Sequence, residues 1–310
     1  MGLAPAETIP YQCRVRICLI FNPAAKGDKA RTLRRHLELF QSQCTLRETT
    51  AVGAGRTLAA KAVEDGFETI IAAGGDGTIN EVLNGIGDVP EGFAQARLAV
   101  LPLGTVNVFA REIRMPFNPV KALAVIAAGR EQRIDLGIAD FINQGKAERR
   151  YFIQLAGSGL DALAIEKVDW HLKKKLGPLA YVWAGLKALQ SPAAKIRISA
   201  HAPGEIFAQV LIGNGAYYGG SIRVFPRAGL NSGKIDVLGL RQFGLLTLLK
   251  AGFTLPFGRH LQLSEAFHFQ TDQFRMESDA HTGLELDGEL AGELPATLSV
   301  RPAALRIVVP

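Results

Sequence analysis

An apolar run that ends in three glycines around a single acid constrains this chain more than any other feature. Residues 68–73 (Glu68-Thr69-Ile70-Ile71-Ala72-Ala73) are short, mostly apolar and bounded by glycine, which suits a parallel strand buried on both faces. Gly74-Gly75-Asp76-Gly77 follows, and then Ile79, Val82, Leu83 and Ile86 recur at the spacing of one helix face. Thr78 and Glu81 have capping-box spacing, which predicts a helix start at Thr78. Glycines at 74, 75 and 77 let backbone approach a ligand without a Cβ in the way, and the free N–H groups of a helix start face an incoming anion. Phosphate loops usually supply Lys or Arg, yet the only charge in this turn is Asp76. A carboxylate makes sense there when a divalent cation lies between it and the phosphates. The turn therefore predicts a metal–nucleotide site; its plainer reading is a strand-to-helix turn that needs glycine for geometry alone.

From residue 14 to about 139 strand and helix signals alternate. Arg14 to Phe21, Cys44 to Thr50, Glu68 to Ala73 and Arg97 to Leu103 read as strands, with helices at Asp28–Phe40, Arg56–Asp65, from Thr78, from Asn107 and at Pro119–Ala128. That order predicts an open, mostly parallel sheet covered by helices, in which ligands bind beyond the carboxyl ends of the strands. Asn22, Gly74 to Asp76 and Gly104-Thr105 each fall at such an end. After Gly129 the chain turns to alternating segments separated by Gly, Pro and Asn, which predicts an antiparallel β-sandwich. Helical insertions interrupt it at Leu160–Gln190 and Gln242–Leu255. The expected division is a nucleotide-binding α/β domain over 12–133, to which 303–310 returns, and a β-sandwich domain over 134–302 that would carry the second substrate.

With 310 residues, 48% hydrophobic and 21% charged, the chain has the size and composition of a two-domain globular protein. A net charge of +6 fits an anionic substrate or membrane surface as well as it fits nucleic acid, so charge alone decides little. Cys13, Cys18 and Cys44 have neither C-x-x-C nor metal-ligand spacing and read as reduced thiols of a cytoplasmic protein. No signal peptide is visible, and the most membrane-like run, Gly244 to Phe257, is short and interrupted by Lys250 and Pro256.

Taken together, several motifs resemble the diacylglycerol kinase catalytic superfamily, especially its bacterial lipid kinases akin to diacylglycerol and sphingosine kinases. They are Asn22-Pro23 with Lys26-Gly27, the run Gly74 to Gly85, Leu101-Pro102-Leu103-Gly104-Thr105 with Asn107, Gly157 to Ala162, Gly213-Asn214 with Tyr217 to Gly220, and Asp287-Gly288-Glu289. The Gly-Gly-Asp-Gly-Thr core alone is shared with NAD kinases and echoed in phosphofructokinases. The Asn80-Glu81-Val82-x-Asn84-Gly85 extension and the late Asp-Gly-Glu are more specific. The resemblance implies an α/β domain of NAD kinase/phosphofructokinase type joined to an antiparallel β-sandwich. It also implies ATP and Mg2+, and an ATP-dependent lipid kinase acting on a diacylglycerol-like or sphingoid hydroxyl in the cleft between the domains. Nucleotide binding then falls on Asn22, Lys26, Thr50, Gly74, Gly75, Asp76, Gly77, Thr78, Ile79, Asn80, Gly104 and Thr105. Asp76 lies near the phosphates and metal, Glu289 takes the place of the general base, and Asp287 joins the catalytic set. The plainer readings stand beside these: Lys26 as a loop lysine, Asn22 as a strand end, and Asp287-Gly288 as a hairpin turn leading to a solvated Glu289.

Two departures from the family pattern matter. Val108 stands where the family often has Asp, which removes a cleft carboxylate. Ser232 stands where bacterial members commonly have Asp in a structural magnesium site, so a site at Gly229, Ser232 and Lys234 is expected to be absent or weak. Trp170 to Leu189, aromatic and basic, suits peripheral contact with an anionic membrane, its alternative being core. Phe243 to Phe257 reads as an apolar wall for an acyl chain. The expected partners are a lipid substrate and a membrane surface rather than nucleic acid, with a homodimer allowed. Two other functions remain open: a soluble-substrate kinase of NAD kinase type, and a membrane-associated nucleotide binder without catalysis.

Overall fold

A computed structural model describes residues 16–23, 44–166, 194–199, 201–242 and 244–310. The first half is built on four parallel strands, β1 (Ile17–Phe21), β2 (Thr45–Glu48), β3 (Thr69–Gly74) and β4 (Arg97–Pro102), in the order β4-β3-β1-β2. β3 is buried along its whole length, as its unbroken apolar run requires. The Ala54–Glu64 and Asp76–Asp88 helices cover the sheet and bury Ala59, Ala62 and Val63 on one and Ile79, Val82, Leu83 and Ile86 on the other. Cys18 lies in this core, where burial pushes its thiol up to about 11; it and Cys44 are free thiols.

The helix after the glycine turn starts at Asp76, two residues earlier than the capping-box pattern implies, with Gly75 as an extended N-cap. Glu81 is drawn away from its own helix. Its carboxylate accepts from Gly53 N and Gly55 N, both at 2.8 Å, at the start of the Ala54–Glu64 helix. That helix has Gly53 as its N-cap and so no side chain to cap itself. The short helix from Asn107 runs Val108–Glu112, with Asn107 as its left-handed N-cap at φ 52°.

The second half is antiparallel. Its strands are β5 (Glu131–Asn143), β6 (Lys146–Phe152), β7 (Leu155–Gly159), β8 (Ile196–Ile198), β9 (Gln209–Gly213), the small hairpin β10 (Tyr217–Tyr218) and β11 (Ile222–Arg223), β12 (Ile235–Leu240), β13 (Ala266–Thr271), β14 (Gln273–Ser278), β15 (Gly283–Leu286) and β16 (Glu289–Val308). Together they form a β-sandwich around Phe152, Phe207, Ile212, Val237, Met276 and Leu298. β16 is 20 residues long and serves both halves. It pairs antiparallel with β15, β14 and β5, bends at a register shift between Arg301 and Leu305, and then joins β4 in parallel at Ile307↔Leu98. Leu298 thus fills the sandwich core while Leu305, Ile307 and Val308 fill the α/β core.

Of the first helical insertion the described part is the Leu160–Glu166 helix. The Trp170–Leu189 stripe, Lys26, Cys13 and the Asp28–Phe40 helix lie outside the described residues. The second insertion is the Leu245–Thr254 helix with a 3-10 turn at Leu255–Phe257. Leu246, Leu249, Phe253 and Phe257 on it are 62–79% exposed, so these four side chains do not wall an internal acyl pocket. An amphipathic stripe has the same period whether it faces inward or outward, and sequence alone cannot choose between the two.

Candidate active site

The parallel strands deliver their carboxyl ends to one rim. Asn22 N donates to Ala73 O at 3.2 Å, Thr49 N to Phe21 O at 2.9 Å, and Leu103 N and Gly104 N both to Gly74 O at 2.9 and 3.2 Å. Asn22, exposed Thr50, the turn Gly74–Gly77 and exposed Thr105 are thereby held along one edge. Gly75 and Gly104 meet backbone to backbone: a Cβ on Gly104 would lie 2.5 Å from Gly75 Cα, so a side chain is excluded there. Asn107 locks the second turn, accepting from Gly104 N at 3.0 Å and donating to Gly104 O at 2.6 Å. Ile79 and Thr78 are buried, and the Thr78 side chain folds back over Gly74.

Asp76 sits at two helix starts at once, opening its own helix and accepting from Phe109 N at 3.3 Å in the Val108–Glu112 helix. Burial pushes its carboxyl above the ordinary carboxylate range, against the opposing pull of backbone N–H groups of Val108, Phe109 and Asn107. With valine at 108, Asp76 is the acid that this pair of turns presents.

The sandwich supplies the facing side. β15 and β16 are joined by the two-residue turn Asp287-Gly288, both at positive φ (51° and 87°), the geometry of a tight type I′ hairpin. The hairpin reading and the functional reading of this motif are therefore compatible. Glu289, the first residue beyond the turn, brings its Oε1 against Gly77, into the space that a Cβ there would occupy. A carboxylate from the second domain thus meets the N-terminal turn of the Asp76–Asp88 helix.

Asp287 has different work. It is buried and accepts from Ile153 N and Gln154 N at 2.9 Å, Leu155 N at 3.1 Å and Asn80 Nδ2 at 3.0 Å. Burial pushes its carboxyl up, and these donors oppose the shift. Asp287 therefore fixes the hairpin that aims Glu289. Asn80 is committed to Asp287 rather than to the open rim. Asn84 continues the seam, donating to Tyr151 O at 3.0 Å and accepting from Tyr151 N at 2.9 Å, while the Tyr151 ring meets Phe93 edge-on with centroids 5.0 Å apart.

Sequence reasoning missed Glu112. Its Oε2 accepts from Gln154 Nε2 and Ala216 N at 2.8 Å and from Tyr217 N at 3.2 Å, tying the α/β domain to the loop before β10. Its position one helical turn beyond Val108 is the only sequence cue, and that cue does not name the partners.

A magnesium ion that arrives with a nucleotide needs only one or two protein carboxylates besides phosphate oxygens, and Asp76 fits that requirement. Among the described residues no three His, Cys, Asp or Glu converge to hold a metal unaided. At the Gly229–Lys234 loop the residues do not fit a hard dication. Ser232 Oγ donates to Lys234 O at 2.7 Å, Ser232 N donates to Gly229 O at 3.1 Å, and nearby Asp135 accepts from Gly233 N at 2.6 Å and Ala303 N at 2.9 Å. The Ser232 hydroxyl is thus spent on Lys234 O, and each oxygen of the Asp135 carboxylate already accepts a backbone N–H.

Comparison with known proteins covers both halves. The diacylglycerol kinase catalytic domain model matches residues 16–139, and the YegS C-terminal NAD kinase beta sandwich-like domain model matches residues 154–309. A diacylglycerol kinase of Staphylococcus saprophyticus is 31% identical over 291 residues, 91% of each chain. A solved diacylglycerol kinase structure from Bacillus anthracis aligns with a TM-score of 0.68 at 18% identity, over 96% of this chain and 97% of that one. Yeast NADH kinase complexed with NADH aligns with a TM-score of 0.55 at 10% identity, over 97% of this chain and 85% of that one. At such identities the two structural likenesses bear on fold alone.

Proposed function

Because this chain belongs to the diacylglycerol kinase family, we propose that it transfers the γ-phosphoryl group of ATP to a hydroxyl of a diacylglycerol-like or sphingoid lipid in the cleft between its domains. The chain is a lipid kinase, so a nucleotide donates and a lipid alcohol accepts. The observation that supports the finer reading is the contact of Glu289 with Gly77, which puts a carboxylate from the sandwich against the glycine turn.

The N–H groups of the turn and helix start cradle the phosphates. Asp76 is the residue that would hold a magnesium ion brought in with the nucleotide, and that ion would supply charge neutralisation for the phosphates. Glu289 takes the proton from the acceptor hydroxyl as its oxygen bonds to the γ-phosphorus, and the bond to the β–γ bridging oxygen breaks to release ADP. Asp287, held by Asn80 and by the backbone of residues 153–155, fixes the hairpin that carries Glu289. A lipid acceptor also requires contact with a bilayer, so the protein works peripherally at a cytoplasmic membrane surface; no described helix is long and apolar enough to cross one.

The test is to incubate the protein with labelled ATP, magnesium and a total lipid extract, with NAD as a parallel acceptor, and to identify the labelled product. A labelled lipid that disappears with Glu289→Gln supports the proposal. Labelled NADP with no labelled lipid refutes it.

A further inference from the structure

Resting on the lipid-kinase reading, we propose that the outer face of the Leu245–Phe257 segment, with Arg223, Arg227 and Arg259 on adjoining segments, is the surface by which this protein docks on an anionic bilayer. Leu246, Leu249, Phe253 and Phe257 are 74%, 62%, 79% and 71% exposed, and their spacing of three, four and four residues puts them on one side of the helix and its 3-10 extension. The Phe253 and Phe257 rings lie 6.5 Å apart, centroid to centroid, tilted at 56° to each other on that side. The opposite side is anchored: Thr247 is buried, and Leu255 packs with Leu261 against the cluster of Val224, Phe225, Leu238 and Leu240. The segment is thus seated on the sandwich by one face and presents large apolar side chains on the other.

The surrounding charge selects the occupant. Residues 205–265 contain six Lys or Arg and three acids, Glu205, Asp236 and Glu265, of which Glu205 pairs with Arg241 and Glu265 with Lys250. Asp236 is buried and taken by His268 at 2.8 Å and Gln270 at 2.9 Å, so it does not offset the surface charge. Lys250 pairs with Glu265, while Arg223, Arg227 and Arg259 are exposed and form no ion pair among the described residues. Exposed Leu and Phe with exposed arginines on the adjoining segments match the acyl boundary and headgroup layer of an anionic membrane. Nucleic acid would match the arginines but leave the Leu and Phe side chains in water.

The strand segment beneath the helix leads toward the cleft. Val224 and Phe225, under the helix, directly follow the Tyr217–Arg223 hairpin, and a Cβ on Gly220 of that hairpin would sit 3.3 Å from Val106 Cγ1 in the Gly104–Asn107 turn. Docking by this face would place the cleft at the membrane surface, where a lipid acceptor resides.

The test uses the full chain with Leu249→Glu/Phe253→Glu, and separately Arg227→Glu/Arg259→Glu, in co-sedimentation with phosphatidylglycerol-containing and pure phosphatidylcholine vesicles. We expect the wild type to prefer the anionic vesicles and the first variant to bind at least about tenfold more weakly, from two large apolar side chains no longer buried. The arginine variant should lose the anionic preference and its salt dependence. Both should phosphorylate a water-soluble short-chain acceptor at the wild-type rate and lose activity on vesicle-embedded acceptor. Vesicle binding unchanged in the Leu249/Phe253 variant overturns the proposal. So does a wild-type dimer that this variant converts to monomer, which would mean that a second copy covers the face. If vesicle binding follows the expected pattern and no lipid is phosphorylated, the docking face is supported and the lipid-kinase reading fails.

Discussion

The side-chain amide of Asn80 donates to the carboxylate of Asp287 at 3.0 Å, a contact between residues 207 positions apart that fastens the helix after the glycine turn to the hairpin preceding Glu289. Removing it with Asn80→Ala leaves a buried carboxylate with one donor fewer, at a cost of about 1–3 kcal/mol. Asn80→Asp should cost more, because it sets two carboxylates against each other. Thermal melts of the three proteins check the order: wild type above Asn80→Ala above Asn80→Asp.

Glu289 and Gly77 test the cleft directly. Glu289→Gln keeps the shape but removes the base, and turnover should fall about 10²–10⁴-fold with nucleotide affinity unchanged. Gly77→Ala puts a methyl where Glu289 Oε1 lies and so displaces that carboxylate. Turnover should fall by about tenfold to a hundredfold with little change in melting temperature, because only one side-chain end has to move. Steady-state kinetics alongside melts separate the two effects.

For Asp76, stability and activity should respond to pH in opposite senses. Its carboxyl binds a proton more readily in the folded chain than the ordinary value of 3.8, because burial outweighs the backbone donors. Folding stability is therefore greatest below the unfolded value and declines as pH rises through the folded one. Phosphoryl transfer requires the ionised form and should fail as pH falls through that same raised value, with added magnesium moving the acid limb lower by competing with the proton. Asp76→Asn should lose at least about 10²-fold in turnover and melt no lower than wild type at neutral pH. A pH–rate profile at two magnesium concentrations and a melt of the variant provide the check.

Glu81 offers a purely structural control. Glu81→Ala removes the acceptor for Gly53 N and Gly55 N and should cost about 1 kcal/mol through the uncapped Ala54–Glu64 helix. KM for the nucleotide should stay at the wild-type value, and urea denaturation would measure the loss.

What the sequence carried and what it hid divide along physical lines. The β3–turn–helix unit was legible because an apolar run and a glycine cluster are local signals, and no distant contact overrides them. The helix start was misread because Glu81 found unsatisfied donors on a neighbouring helix, and those donors belong to tertiary structure. Residue types at 80, 112 and 287 were visible, but their pairings are not: Asn80 meets Asp287, and Glu112 meets Ala216 and Tyr217, over separations that no local pattern encodes. The contact of Glu289 with the glycine turn followed from family resemblance, not from spacing. The run Phe243 to Phe257 reads as a pocket wall in sequence because periodicity fixes which residues share a face but not what that face meets.

The long β16 strand has a consequence for how this protein is made. Leu305, Ile307 and Val308 belong to the core that β1 begins, yet a ribosome adds them nearly three hundred residues after β1. The opening domain cannot finish its sheet during synthesis until the whole intervening sandwich has emerged. Until then β4 presents the edge that Ile307 will occupy, and the nascent chain needs shelter there. The α/β half, though written first, is the half that is completed last.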